Sequence, residues 1–382
     1  MKLPIYLDYH ATTPVDERVL EAMQPYFIEI FGNPASSSHV FGWQASAAVE
    51  QARRQVADGL DADPEEIVFT SGASESNNLA IRGVARLCRE RGRHIVTVAT
   101  EHKAVLNTCL ALEEDGFRVT VLGVDGEGGV ELDAVRAALA DDTILVSIMH
   151  ANNEIGTIQD IAPIGALCRD RGVLFHTDAT QSIGRRLFNV RHLNVDLVSF
   201  SGHKFYGPKG TGALFIRRSV DCAPLITGGG HESGVRSGTL NVPGVVGLAK
   251  AVELANQSLK DETARTREWR DDLWRAIREA VPTVLLNGPD PLERPDDRLP
   301  NNLNVSVPGA EGEALVAALD QVAVSTSSAC TSASGEGSHV LKAIGRDTEG
   351  LTHLRFGLGR PTTREEIDYT IGCIRAVAGA RA

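Results

Sequence analysis

The sequence lacks the long apolar segments of membrane-spanning proteins. A transmembrane helix needs about 20 consecutive apolar residues, whereas the longest strongly apolar stretch, residues 144–149, has the size of a single strand. Positive charge is also scarce, because 38 Lys and Arg face 50 Asp and Glu, giving a formal net charge of −12. Phosphate backbones are bound by clustered Lys and Arg, so this balance argues against direct nucleic-acid binding.

Cysteine is sparse, with six residues scattered along the chain and no two within four positions of each other. This spacing excludes a C-x-x-C redox or zinc motif, and in a chain this long it also argues against a disulfide framework. The first nine residues lack the apolar segment of a signal peptide. We therefore expect a cytoplasmic protein with reduced thiols and no metal centre.

What the sequence does contain is a regular alternation of short apolar runs and longer amphipathic ones. Helices are predicted between the strands, at residues 77–91, 104–114, 132–140 and 161–171. Such alternation predicts an α/β fold with a mainly parallel sheet and crossover helices. The candidate strands are residues 67–69, 94–99, 118–122, 144–149, 173–177, 197–200 and 213–216.

The pattern changes after the glycine-rich segment 228–247. A long helix is predicted at residues 245–281, followed by strands at 302–307, 322–325 and 354–358 between helices and polar loops. We interpret residues 16–255 as a large domain and residues 256–382 as a small α+β domain. Residues 1–15 are too few for a domain, and we expect them to pack with the small one.

Three polar motifs directly follow predicted strands, at the sheet edge where open α/β sheets bind ligands. Residues 70–75 are small and polar and open a helix, whose N–H groups favour an anion. Asp178 and Lys204 end two other strands. Each has an ordinary alternative on its own: a helix-capping serine, a turn-capping aspartate and a surface lysine. Together, an anion cradle, a carboxylate and a lysine suit pyridoxal phosphate.

Nine ordered motifs resemble those of the class I (NifS/IscS-type) cysteine desulfurases, which are pyridoxal-phosphate enzymes of the aminotransferase class V family. The resemblance runs from about residue 3 to residue 375. The motifs are YLDYHATTP (6–14), TSGASES (70–76), EHKAV (101–105), NNEIG (152–156), DATQ (178–181), SGHK (201–204), GGGHE (228–232), RSGT (236–239) and SACTSA (328–333).

The resemblance implies fold type I, similar to aspartate aminotransferase, with a mainly parallel seven-stranded sheet in the large domain. It also implies a role for each matching residue. Lys204 bonds to the cofactor and shuttles the Cα proton, while Asp178 keeps the pyridine nitrogen protonated and His102 stacks on the ring as a candidate acid or base. The other cofactor contacts that it implies are Ala73, Ser74, Asn153, Gln181, Ser201, His203 and Thr239, with Asn153 also near the substrate carboxylate.

The implied reaction converts L-cysteine to L-alanine. Arg355 grips the substrate carboxylate, and Cys330 attacks the substrate sulfur and keeps it as a persulfide. Residues 325–338 contain six serines, two glycines and one cysteine, a composition that lets a loop reach inward and then outward. Thr239 reaches the phosphate of the other subunit, so a homodimer is implied, with a protein sulfur acceptor such as an iron–sulfur scaffold.

Two departures and two alternatives accompany this interpretation. Ser233 stands where the family often has Arg, and Ser74 stands where the family commonly has Thr, with the hydroxyl retained. The sequence also ends at Ala382, where housekeeping members usually continue into a scaffold-docking tail. The alternatives are a selenocysteine lyase or aminotransferase of the same fold, and a catalytically silent partner protein. An aminotransferase needs no nucleophile on a flexible loop, and intact Lys204, Asp178 and Cys330 argue against a silent protein.

Overall fold

The computed structural model describes residues 1–326, 337–346 and 350–379. The strands are β1 (Ile5–Tyr6), β2 (Ile67–Thr70), β3 (His94–Val98), β4 (Arg118–Leu122), β5 (Thr143–Ser147), β6 (Leu174–Asp178), β7 (Leu197–Ser201), β8 (Gly212–Ile216), β9 (Leu285–Leu286), β10 (Asn302–Pro308), β11 (Val322–Ala323), β12 (Ser325–Thr326) and β13 (Leu351–Gly357). The helices are α1 (Glu17–Met23), α2 (Pro25–Ile28), α3 (Val40–Asp58), α4 (Ala73–Cys88), α5 (Lys103–Ala111), α6 (Leu132–Ala138), α7 (Ile161–Asp170), α8 (Val242–Ala280), α9 (Gly309–Ala318), α10 (His339–Ala343) and α11 (Arg364–Gly379). Within these ranges, no helix is long and apolar enough to cross a membrane.

All seven predicted strands of the large domain join one sheet, in the order β2-β8-β7-β6-β5-β3-β4. Neighbours from β7 to β4 run parallel, whereas β8 is antiparallel to both β2 and β7. The prediction of a mainly parallel seven-stranded sheet is therefore confirmed.

Alternation along each strand explains why the sheet is buried on both faces. Val198 and Phe200 of β7 join one apolar cluster, while Leu197 joins the cluster on the opposite face. Strand β8 divides in the same way, with Phe215 on the first face and Leu214 on the second. Side chains point alternately to the two faces of a strand, so a continuous apolar run fills both cores.

A second core surrounds the four-stranded sheet β12-β13-β10-β9. Helix α8 connects the two cores, because its first half packs into the cluster under the large sheet and residues such as Leu273 and Ile277 pack into the second. Strand β1 pairs in parallel with β11, and Ile5 and Leu7 belong to the second core. The exact domain boundaries stay a prediction.

One boundary matters for the site. Helix α4 begins at Ala73 rather than at residue 77 as predicted. Ser74, Ser76 and Asn77 are of residue types that favour caps and turns over helix interiors, which is why this stretch resembles a loop. In the structure Ser76 and Asn77 are fully buried and contact the protein interior, so tertiary packing outweighs the local preference.

Candidate active site

A cavity of about 500 Å³ opens where β6 and β7 end at Asp178 and Ser201. It brings together nine of the residues that the sequence predicts for the site. They are Ala73, Ser74, His102, Asn153, Asp178, Gln181, Ser201, His203 and Lys204.

Asp178 lines the cavity and is 5% exposed. Asn77 donates to its Oδ2 at 2.7 Å, and the backbone N–H of Thr180 donates to its Oδ1 at 2.9 Å. Both of these donors are neutral. A buried carboxylate is most stable beside a cation, so the surroundings of Asp178 favour a ligand with a positively charged N–H.

Lys204 ends the single 3₁₀ turn that follows β7, Gly202–Lys204. Its Nζ donates to the backbone carbonyls of His10 at 2.6 Å and Ala11 at 2.8 Å. Burial, reinforced by the cations Arg185 and Arg355, lowers the pKa of Lys204 to about 8. A lysine with a lowered pKa is suited to nucleophilic and proton-transfer chemistry.

His102 caps the N-terminus of α5, because its Nδ1 accepts a hydrogen bond from the N–H of Ala104 at 3.1 Å. Burial by the surrounding protein lowers the pKa of His102, against the opposing charge of Asp178. The neutral ring therefore carries its proton on Nε2. His102 lines the cavity and has the protonation state of a group that can donate or accept one proton there.

The N-terminus of α4 borders the cavity, and no side chain in the described part of the chain caps it. Its N-cap is Gly72, with φ of 149°, so the first-turn N–H groups of Ala73 and Ser74 are left to other partners. A Cβ on Gly72 would lie 3.5 Å from Ser201 Oγ, which shows how closely this turn approaches the end of β7. Uncapped helix N-termini bind anions.

His203 and Ser201 line the same cavity as this helix end. Thr12 Oγ1 is 3.0 Å from His203 Nδ1. Burial and the nearby cations Lys204 and Lys209 lower the pKa of His203 to about 4, so the ring is neutral. Ser201 Oγ lies 3.5 Å from the carbonyl of Thr211, and Ser201 is 3% exposed.

Arg355 lies next to the cavity and does not line it. Its Nη1 donates to the carbonyl of Asn153 at 2.9 Å, and its Nη2 pairs with Asp8 at 2.8 Å and with Ser325 Oγ at 3.1 Å. A smaller adjoining cavity contains Arg355 and Ser325. The carbonyl of Asn153 therefore links the guanidinium to the main cavity.

Besides Arg355, two further predicted residues are not placed in the cavity. Thr239 is exposed and does not line it. Cys330, with most of the predicted loop, lies outside the described residues. The ends of the loop are nevertheless placed: Ser325 is bonded to Arg355, and Ser338 donates to Glu154 at 2.5 Å.

The structure adds residues that the sequence interpretation missed. His10 and Thr12 reach the site from the N-terminal segment, and Asn77 orients Asp178. Glu101 is fully buried, and burial together with Asp178 raises its pKa well above the ordinary range. His10 and Thr12 belong to the motif YLDYHATTP and Glu101 to EHKAV, while Asn77 directly follows TSGASES. The motifs carried no role for these four positions.

This combination of fold and site agrees with comparisons to known proteins. The chain belongs to the aminotransferase class-V family, whose model matches residues 5–370.

Among individual proteins, it is 55% identical to cysteine desulfurase IscS of Salmonella arizonae over 99% of this chain and 94% of that protein. A solved NifS-like protein is 40% identical, covers 98% of this chain and 99% of its own, and superposes with a TM-score of 0.89. A structure of SspA in complex with cysteine is 39% identical, covers 92% and 99% of the two chains, and has a TM-score of 0.81. These similarities confirm the prediction from the motifs that the chain is a cysteine desulfurase.

Proposed function

We propose that this cysteine desulfurase converts L-cysteine to L-alanine with bound pyridoxal phosphate and moves the sulfur onto Cys330. The observation that carries the proposal is the cavity itself, where an uncapped helix N-terminus, a buried carboxylate with neutral partners and a lysine of lowered pKa meet. The motif around Cys330 favours a desulfurase over an aminotransferase, because an aminotransferase reaction needs no cysteine nucleophile.

The residues present fit the cofactor. The N–H groups of Ala73 and Ser74, with Ser201 and His203, would hold the phosphate at the uncapped helix end. Asp178, whose direct partners are neutral, would pair with the ring nitrogen, and Gln181 and Asn153 would lie near the phenolic oxygen. When bound, the group acts as an electron sink that weakens bonds at the substrate Cα.

The protein's own groups then position the substrate and move its protons. Arg355 and Asn153 orient the carboxylate of L-cysteine. The neutral amine of Lys204 takes the Cα proton and returns it, and the neutral His102 ring, which lines the same cavity, donates or accepts a proton. In balance, L-cysteine and the Cys330 thiol give L-alanine and a Cys330 persulfide, because the thiolate takes up the substrate's sulfur atom.

The same proposal includes a homodimer, a protein acceptor for the sulfur and a location in the cytoplasm. The enzyme works as a homodimer in which Thr239 of the second copy contacts the phosphate, in keeping with its exposure and its place outside the cavity of its own chain. The persulfide passes to a protein acceptor such as an iron–sulfur scaffold. The enzyme works in the cytoplasm, which agrees with five described cysteines that are all free.

The test uses two cysteine variants of the purified protein. Cys330→Ala is expected to keep the visible absorbance of the cofactor and to lose sulfide release from L-cysteine. Cys88→Ala, at a free and partly exposed cysteine, is the matched control and should keep both. Undiminished sulfide release by Cys330→Ala would refute the assignment of the nucleophile.

A further inference from the structure

The buried residue His10 contacts both the oxygen and the nitrogen of the Gln181 side-chain amide, in the wall of the cavity. His10 is 1% exposed, and its Nδ1 lies 3.0 Å from Gln181 Oε1. The backbone carbonyl of the same residue accepts a hydrogen bond from Gln181 Nε2 at 3.1 Å. Gln181 lines the cavity, so His10 controls which atom of the amide faces it.

The contacts of the Gln181 amide determine which of its polar atoms can face the cavity. Its oxygen is turned toward His10 and also lies 3.5 Å from Arg185 Nη1. The amide nitrogen carries two N–H groups, and one of them is bonded to the His10 carbonyl. Among the described residues the second N–H has no other partner and is left for the cavity, which Gln181 therefore faces as a donor.

The protonation of His10 decides whether this arrangement is stable. Its two ring nitrogens face two acceptors, Gln181 Oε1 at 3.0 Å and the carbonyl of Asn301 at 3.3 Å. Burial and the charges of Arg185, Arg355 and Lys204 lower the pKa of His10 well below its ordinary value. A neutral imidazole has one N–H, and the shorter contact assigns that proton to Nδ1.

We propose that His10 is a positioning residue, whose Nδ1–H holds the Gln181 oxygen away from the cavity so that Gln181 presents only an N–H there. The inference rests on the proposed function, since the acceptor in that site is the phenolic oxygen of the cofactor. A donor at this oxygen favours its deprotonated form. A flipped amide would place a carbonyl against it and favour the protonated form.

The first test is the spectroscopic pKa of the cofactor-loaded protein. His10→Phe and Gln181→Leu should each raise it by about one pH unit, the equivalent of one hydrogen bond. Since His10 acts through Gln181, the double variant should shift it no further than either single one. His10→Asn keeps an N–H near the position of Nδ1 and should restore the original value. An unchanged spectroscopic pKa in His10→Phe, or shifts of this pKa that add up in the double variant, would overturn the proposal.

The second test needs no cofactor. In cofactor-free protein labelled with ¹⁵N-histidine, the His10 ring, assigned by its loss in His10→Phe, should be the Nδ1–H tautomer and should not titrate between about pH 6 and 9. An Nε2–H tautomer would contradict the proposal. Failure to bind the cofactor would instead refute the proposed function and leave this measurement intact.

Discussion

The amine of Lys204 provides the strongest pH prediction. Burial, with help from Arg185 and Arg355, lowers its pKa from 10.5 to about 8. The neutral amine is the form that bonds to the cofactor's aldehyde. The rate at which the cofactor-free protein captures pyridoxal phosphate should therefore rise with pH and level off above about pH 8.

The magnitude follows from the two pKa values. At pH 7 an amine with a pKa of about 8 is neutral in about 10% of molecules, against about 0.03% for a lysine of ordinary pKa. The site thus increases the reactive form about 300-fold at neutral pH. The same difference acts on stability, because between about pH 8 and 10.5 unfolding takes up a proton. Over that window the free energy of unfolding should rise with pH.

The assay mixes cofactor-free protein with pyridoxal phosphate across this pH range, follows the absorbance, and traps the covalent product with borohydride. Arg185→Met removes a cation that lowers the pKa and should move the midpoint upward. Lys204→Ala should give no protein-linked cofactor after reduction. A midpoint near 10.5 in the unmodified protein, or a reducible product in Lys204→Ala, would refute the reasoning.

Three further predictions concern other parts of the structure. Asn77→Leu removes the 2.7 Å donor to Asp178 and should weaken cofactor affinity about tenfold in equilibrium dialysis; an unchanged affinity would contradict it. Arg355→Ala should raise the KM for L-cysteine at least about tenfold without removing cofactor absorbance, and an unaltered KM would exclude the carboxylate role. Leu273→Ala, at a fully buried position, should lower the free energy of unfolding by about 2–5 kcal/mol in urea titrations, and a loss well under 1 kcal/mol would show that its core is loosely packed.

The large sheet could be predicted because several of its strands are near-continuous apolar runs. In β7, only the small Ser199 interrupts the apolar residues Leu197, Val198 and Phe200, and burial on both faces favours such a run. The polar residues that directly follow these runs then had to meet at one edge. Asp178 and Lys204 were predictable for this reason, independently of any family resemblance.

The N-terminal contribution to the site could not be predicted in this way. His10 contacts Gln181 across 171 residues of chain, and Thr12 contacts His203 across 191. Periodicity describes neighbours along one element, and it contains no information about which distant loop folds over a pocket. The start of α4 was misplaced for a related reason, because burial of Asn77 against Asp178 outweighs its weak helix propensity.

The transfer of sulfur to Cys330 is tested most directly by a single turnover. The cofactor-loaded protein is mixed with an equal amount of L-cysteine under conditions without an acceptor, then alkylated, digested and analysed by mass spectrometry while alanine is measured. The account predicts one added sulfur atom on the peptide that contains Cys330, in an amount equal to the alanine formed. Alanine without a persulfide on Cys330, or a persulfide on another cysteine, would contradict it.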